Sequence, residues 1–193
     1  MSQQAEKEKS LKVELIEERF FFVRHGQTDA NLAELAAGAG WDIELNATGL
    51  AQARALAESK AMEHLRSVKT ICVSPMIRAR QTAEVINEAI KAPVVVIEEL
   101  KEWFLGEWER RSWHELDFRV GNPPGGENNE EFAERVAKGL SLALTHPGPV
   151  LIVAHGGVWH RVARHLMLPY GEIDNCQLKH LHRTHKDDVW NLL

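Results

Sequence analysis

Two arginines and two histidines stand out in this 193-residue chain: Arg24, His25, Arg78 and His155. The apolar run Phe20–Val23 stops on Arg24-His25-Gly26, and Val150–Val153 is followed by His155-Gly156-Gly157. Ser74-Pro75 follows Thr70–Val73, with Arg78 one turn further on. If the runs are neighbouring parallel strands, all four side chains meet beyond the carboxyl ends of the sheet, where open α/β sheets bind ligands. Guanidinium groups match phosphate oxygens bidentately. Glycines permit close backbone approach, and helices starting near Ser74 and Gly156 would aim N–H groups at an anion. A neutral imidazole flanked by arginines can attack phosphorus, because the neighbouring cations hold its pKa low. The set therefore suits phosphoryl chemistry.

The elements that must position these residues are legible as alternating patterns. Phe20–Val23, Thr70–Val73, Val94–Ile97 and Val150–Val153 are continuous apolar runs rich in β-branched residues, which predicts strands buried on both faces. Between them, Thr48–Leu65 predicts a helix capped by Asn46 or Thr48, and Ser74-Pro75 predicts the opening of a helix reaching about Ile90. Glu130–Leu144 sets Phe132, Val136 and Leu140 on one helical face, and a helix over Gly156–Leu168 is closed by Pro169. Strands alternating with helices imply an α/β fold: a three-layer αβα sandwich with a mainly parallel central sheet. Segment 121–129, GNPPGGENN, reads as a loop inserted within the domain. Residues 1–10 are polar and predict a flexible terminus, leaving 11–193 as a single catalytic domain; Leu11, Val13 and Leu15 alternate weakly.

Composition narrows the function. A formal net charge of -5 argues against non-specific nucleic-acid or acidic-membrane binding, which needs a basic field. It leaves room for a small phosphorylated substrate met by a local cluster of cations. The two cysteines, Cys72 and Cys176, have apolar neighbours and no CxxC spacing, so reduced buried thiols are expected. No apolar segment of signal type precedes residue 20 and no run is long enough to span a bilayer, which makes a cytoplasmic protein the expectation.

Arg24-His25-Gly26-Gln27-Thr28, with Asn31 downstream, resembles the signature of the histidine phosphatase superfamily, which includes phosphoglycerate mutases and many phosphatases. The likeness continues, in the family's order, through DIELNATGLAQA (42–53), SPMIRARQTAE (74–84), LKEWFLGEWE (100–109), PGGEN (124–128) and AHGGV (154–158). It implies a phosphoglycerate mutase-like fold and His25 as a nucleophile that becomes a phosphohistidine. Arg24, Arg78 and His155 would hold the phosphoryl oxygens, with Asn31, Gln27, Thr28 and Gly156 contributing to substrate binding. The family's spacing of Leu100, Glu102 and Gly106 selects Glu102 as general acid and base, although Glu98, Glu99, Glu107 and Glu109 crowd the same stretch. Neither a metal nor a cofactor is implied.

Departures from the family pattern bear on the substrate. The mutases usually place an arginine after Asn31, where this chain has Leu32-Ala33-Glu34-Leu35-Ala36. Glu44 replaces a common proline and Arg110 a common glycine. Only 53 positions separate Glu102 from His155, as in the compact phosphatases, and a short covering segment shields a phosphohistidine from water poorly. A phosphomonoesterase is therefore expected ahead of a phosphoglycerate mutase or bifunctional enzyme, and ahead of a non-catalytic phosphate-binding or interaction scaffold. Arg110, Arg111, Arg161 and Arg164 are candidate contacts for a second anionic group. Trp103, Trp108 and Trp113 fit either a pocket mouth or a packed covering loop. His180, His182 and His185 read as exposed strand histidines rather than a metal site, since no carboxylate or cysteine completes the set.

Overall fold

A continuous apolar run is stable as a strand only if both faces of the sheet are covered. The computed structural model, which describes residues 17–117, 122–169, 171–184 and 189–193, has that arrangement. Strands β1 (Glu17–Arg24), β2 (Thr70–Val73), β3 (Val94–Val96), β4 (Val150–Ala154), β5 (Leu178–Thr184) and β6 (Asn191–Leu192) form one sheet in the order β3-β2-β4-β1-β5-β6. β3, β2, β4 and β1 are parallel; β5 runs antiparallel to β1, and β6 to β5.

The side-chain period of two sorts each run onto two cores. Phe20, Phe22, Cys72 and Ile152 pack under helices α5 (Asn129–Leu144) and α6 (Gly156–His165), against Phe132, Val136, Trp159 and Val162. Phe21, Val23, Ile71 and Leu151 face the other way, onto Ala79, Ala83 and Ile86 of α4 (Ile77–Ile90) and Met62 and Leu65 of α3 (Met62–Leu65). The expected αβα sandwich is thus the observed architecture. The short helix α1 (Asp29–Leu32) and α2 (Ala47–Glu58) complete the list of α-helices among the described residues.

Register brings the strand ends to one level. Val23, Val153 and Val73 lie in one cross-strand row, so Arg24, Ala154 and Ser74 leave the sheet together. The ladder continues one step, with His25 N donating to Ala154 O (2.9 Å) and Ser74 N to Val153 O (3.0 Å).

Several expectations are corrected. Val94–Val96 is an edge strand, so Val94 and Val96 are each 48% exposed instead of buried, while Val95 packs half-buried against the core and Ile97 is buried in it. The helix expected over 48–65 is broken: α2 ends at Ser59, whose hydroxyl donates to Leu56 O and accepts from Ala61 N, and α3 begins afresh at Met62. Of its two candidate caps, Asn46 holds Gly49 N (2.9 Å). The helix expected from Ser74-Pro75 begins at Ile77: Ser74 Oγ accepts from Met76 N (3.3 Å), and Asp42 Oδ1 takes Ile77 N (2.9 Å). The helix expected to Leu168 ends at His165. Residues 1–10, Leu11, Val13, Leu15, Gly121 and His185 lie outside the described residues. No described helix is long and apolar enough to cross a membrane.

Candidate active site

The end of β1 carries His25 into the molecule rather than out of it. Its side chain is buried, and its Nδ1 lies 2.7 Å from Gly26 O. A carbonyl oxygen only accepts, so Nδ1 carries the proton and Nε2 keeps its lone pair. Burial first, then Arg78 and Arg24, drive the pKa of His25 well below its ordinary value, which keeps the ring neutral. The turn after it is fixed by Gly26 N donating to Thr82 Oγ1 (3.0 Å) and Gln27 N to Gln52 Oε1 (2.8 Å). Gly26 is required there, since a Cβ would come within 2.5 Å of Gly49 O on α2.

His155, fully buried at the end of β4, packs beside His25 with ring centroids 5.2 Å apart. Its Nε2 lies 2.7 Å from Ser74 Oγ, which also accepts from Met76 N (3.3 Å). Burial, Arg78 and His25 hold its pKa well below the ordinary value too. The two arginines are anchored by backbone oxygens. Arg24 Nη1 donates to Ile173 O (2.8 Å), and Arg78 donates from Nη2 to Gly38 O (2.9 Å) and from Nη1 to Trp41 O (3.3 Å). Asp42 lies 3.9 Å from Arg78, too far for a close pair. Three buried nitrogens of this group, Arg24 Nε, Arg78 Nε and His155 Nδ1, have no hydrogen-bond partner among the described residues. Leaving a buried donor unpaired costs about 1–3 kcal/mol, so the cluster is built to meet an acceptor.

A cavity of about 720 Å³ opens over this floor, lined by Arg24, His25 and Arg78 and walled by Glu102, Gly156 and Gly157. Glu102 is held by two backbone donors, Trp103 N to Oε1 (2.9 Å) and Gly157 N to Oε2 (3.1 Å). Its own carbonyl accepts from Arg135 Nη2 (3.1 Å), while Arg135 Nη1 binds Glu99 O and Lys101 O, both at 2.9 Å. Arg135 is in turn gripped by both oxygens of Glu127 at 2.7 Å, a bidentate pair that ties the 122–128 loop to the segment carrying Glu102.

Not every candidate reaches the cavity. Thr28 and Asn31 line it, but they also cap α1 reciprocally: Asn31 N donates to Thr28 Oγ1 and Thr28 N to Asn31 Oδ1. Gln27 is turned away, its side-chain oxygen accepting from Asn46 Nδ2 (3.1 Å). The start of α4 offers less to an anion than expected, because Asp42 Oδ1 takes Ile77 N (2.9 Å). Of the four further arginines, Arg161 and Arg164 line the cavity; Arg110 lies over Trp41 and Arg111 faces Glu115 at 3.7 Å. Trp103 and Trp113 line it as well, whereas Trp108 packs on the core. Sequence reasoning missed Ser74 as the partner of His155, Arg135 behind Glu102, and His160 on the wall.

Comparison with known proteins identifies the family. The model for the histidine phosphatase superfamily (branch 1) matches residues 20–193. The chain is 39% identical to the uncharacterized phosphatase PhoE of Bacillus subtilis over 144 residues, 72% of each chain. It is 32% identical to the adenosylcobalamin/alpha-ribazole phosphatase of Salmonella typhimurium over 167 residues, 78% of this chain and 81% of the relative. Among solved structures, the mycobacterial glucosyl-3-phosphoglycerate phosphatase complexed with VO3 superposes with a TM-score of 0.75 at 30% identity, covering 91% of this chain and 96% of that one.

Proposed function

Since the chain belongs to the histidine phosphatase superfamily and is a phosphatase, we propose that it hydrolyses a small organic phosphate monoester through a phosphohistidine on His25. The observation that carries this reading is the trio of unpaired buried nitrogens beside an imidazole whose tautomer is fixed for attack. Arg24, Arg78 and His155 receive the phosphoryl oxygens. The Ser74 hydroxyl, already accepting from Met76 N, gives its proton to His155 Nε2 and so leaves Nδ1–H as a donor.

The lone pair of His25 Nε2 forms the P–N bond as the P–O ester bond breaks. Glu102, protonated, delivers its proton to the departing alkoxide oxygen. Water then attacks phosphorus, Glu102 takes the water's proton, the P–N bond breaks, and inorganic phosphate leaves with His25 neutral again. Charge developing on the phosphoryl oxygens is met by guanidinium groups that are already in place, so no reorganisation is needed. No metal ion enters any step. The segment Leu32–Ala36 brings no cation to the cavity, which favours release to water over retention of a phosphoglycerate.

A panel of aryl and alkyl phosphates assayed for phosphate release with a chelator present tests the reading. Turnover of at least one ester, undiminished by chelator, is expected. Release of no phosphate from any ester, or turnover restored only by added metal, contradicts it.

A further inference from the structure

The wall away from His25 carries charge that this scheme leaves unused. Arg161 and Arg164 both line the cavity and stand three positions apart on α6, on one helix face. Arg161 is half-buried, its guanidinium 5.5 Å from the ring centroid of Trp103 and 5.3 Å from that of Phe132, and it donates to Asn129 Oδ1. The platform under it is fixed: the two rings stack at 5.3 Å, and Trp103 Nε1 donates to Glu127 O (2.7 Å). Neither arginine forms an ion pair with a carboxylate among the described residues.

Two like charges held side by side, Arg161 half-buried and Arg164 exposed at the cavity rim, favour an anion between them. Burial and Arg164 lower the pKa of Arg161, with Glu102 opposing, whereas Arg24 feels Glu102, Asp174 and Glu172 together. Apolar side chains, Leu105, Trp113, Ala163 and Leu168, line part of the remaining wall, and His160, Glu172 and Asp174 also line it, the two carboxylates acting on Arg24. A phosphoryl group occupies a small part of about 720 Å³, so the remainder is room for the alcohol.

We propose that Arg161 and Arg164 form a second anion subsite, making the substrate a phosphomonoester whose alcohol has an apolar body and a further carboxylate or phosphate. The inference rests on the phosphatase reading only for which end of the ligand meets His25. Three arylmethylphosphonates, ArCH2–PO3, unreactive because the P–C bond offers no leaving oxygen and differing in a meta carboxamide, carboxylate or phosphonate, probe it by calorimetry. The native protein is expected to bind an anionic member about tenfold or more tighter than the carboxamide, as charge-assisted hydrogen bonds warrant. The larger gain identifies carboxylate or phosphate as the group preferred. Arg161→Gln with Arg164→Gln should bring the ratio to about one, Arg164→Gln alone should reduce it, and Arg111→Gln should retain the native ratio. A ratio near one in the native protein, or one that survives the double substitution, overturns the subsite. Turnover of the matching aryl phosphates is read separately. An anion preference in binding without hydrolysis of any ester leaves the subsite standing and refutes the phosphatase reading.

Discussion

Glu102 is the residue on which the proposed chemistry turns twice, first giving a proton and then taking one. Its two oxygens accept from the N–H groups of Trp103 and Gly157, an arrangement that fixes the direction of the side chain. Glu102→Gln keeps the shape and removes the titrating group. It should lower kcat for alkyl phosphates by about 10²–10⁴-fold. The loss should be smaller for aryl esters, whose phenolate leaves without a proton, and steady-state kinetics across leaving groups measures the difference. An equal loss for every leaving group would remove Glu102 from the acid role. The neighbouring glutamates are occupied in other ways: Glu98 and Glu99 pair with Lys101 and Lys138 at 2.7 Å, and Glu109 accepts from Gly40 N (2.8 Å).

At the scale of elements, α6 and the segment 98–105 meet at Gly157. A Cβ there would stand 2.3 Å from Glu102 Oε1. Gly157→Ala should therefore push the carboxylate out of place while improving helix propensity by up to about 1 kcal/mol. The expected result is a melting temperature unchanged or raised, with kcat down tenfold or more, since a displacement of about 1 Å can cost 10²-fold. Loss of stability in step with activity would mean that Gly157 serves packing alone. The strands and their chemistry were legible from the sequence because a buried parallel strand is a continuous apolar run, and each of three runs ends on a polar residue. Edge position was not legible: Val94–Val96 has the same composition as a central strand, and only strand order decides which side stays uncovered. Nor was the start of α4, where Ser74 Oγ serves both Met76 N and His155 and a tertiary partner, Asp42, takes Ile77 N.

At the scale of the whole molecule, the site lowers stability in acid. His25 and His155 are buried with pKa values well below 6.5, while in the unfolded chain they regain that value, so below it the unfolded state binds more protons. Stability is fully present above pH 6.5 and falls as pH drops through the window beneath it, by about 1.4 kcal/mol per pH unit for each group. Half-buried His160 acts in the same direction. Urea unfolding at intervals from pH 7.5 to 5.5 measures the slope, and His25→Gln with His155→Gln should flatten it. A native slope near zero across that window would mean the imidazoles are protonated in the folded state. The cost of keeping two neutral histidines among arginines is consistent with a molecule whose sheet ends are arranged for a ligand rather than for stability. The departure at Leu32–Ala36, and Arg161 and Arg164 as candidate contacts for a second anion, were visible in the sequence. Their relation to the cavity was not, since it depends on where α6 lies.

The central claim is the bond between His25 and phosphorus. Protein mixed with an aryl phosphate carrying labelled phosphorus and quenched in alkali within milliseconds should retain label that alkali preserves and acid releases, as a phosphoramidate does. Peptide mapping should place that label on His25, and both His25→Ala and His25→Asn should abolish it. Label persisting in either variant, or turnover of the ester by the native protein with no label at any time, would contradict the account.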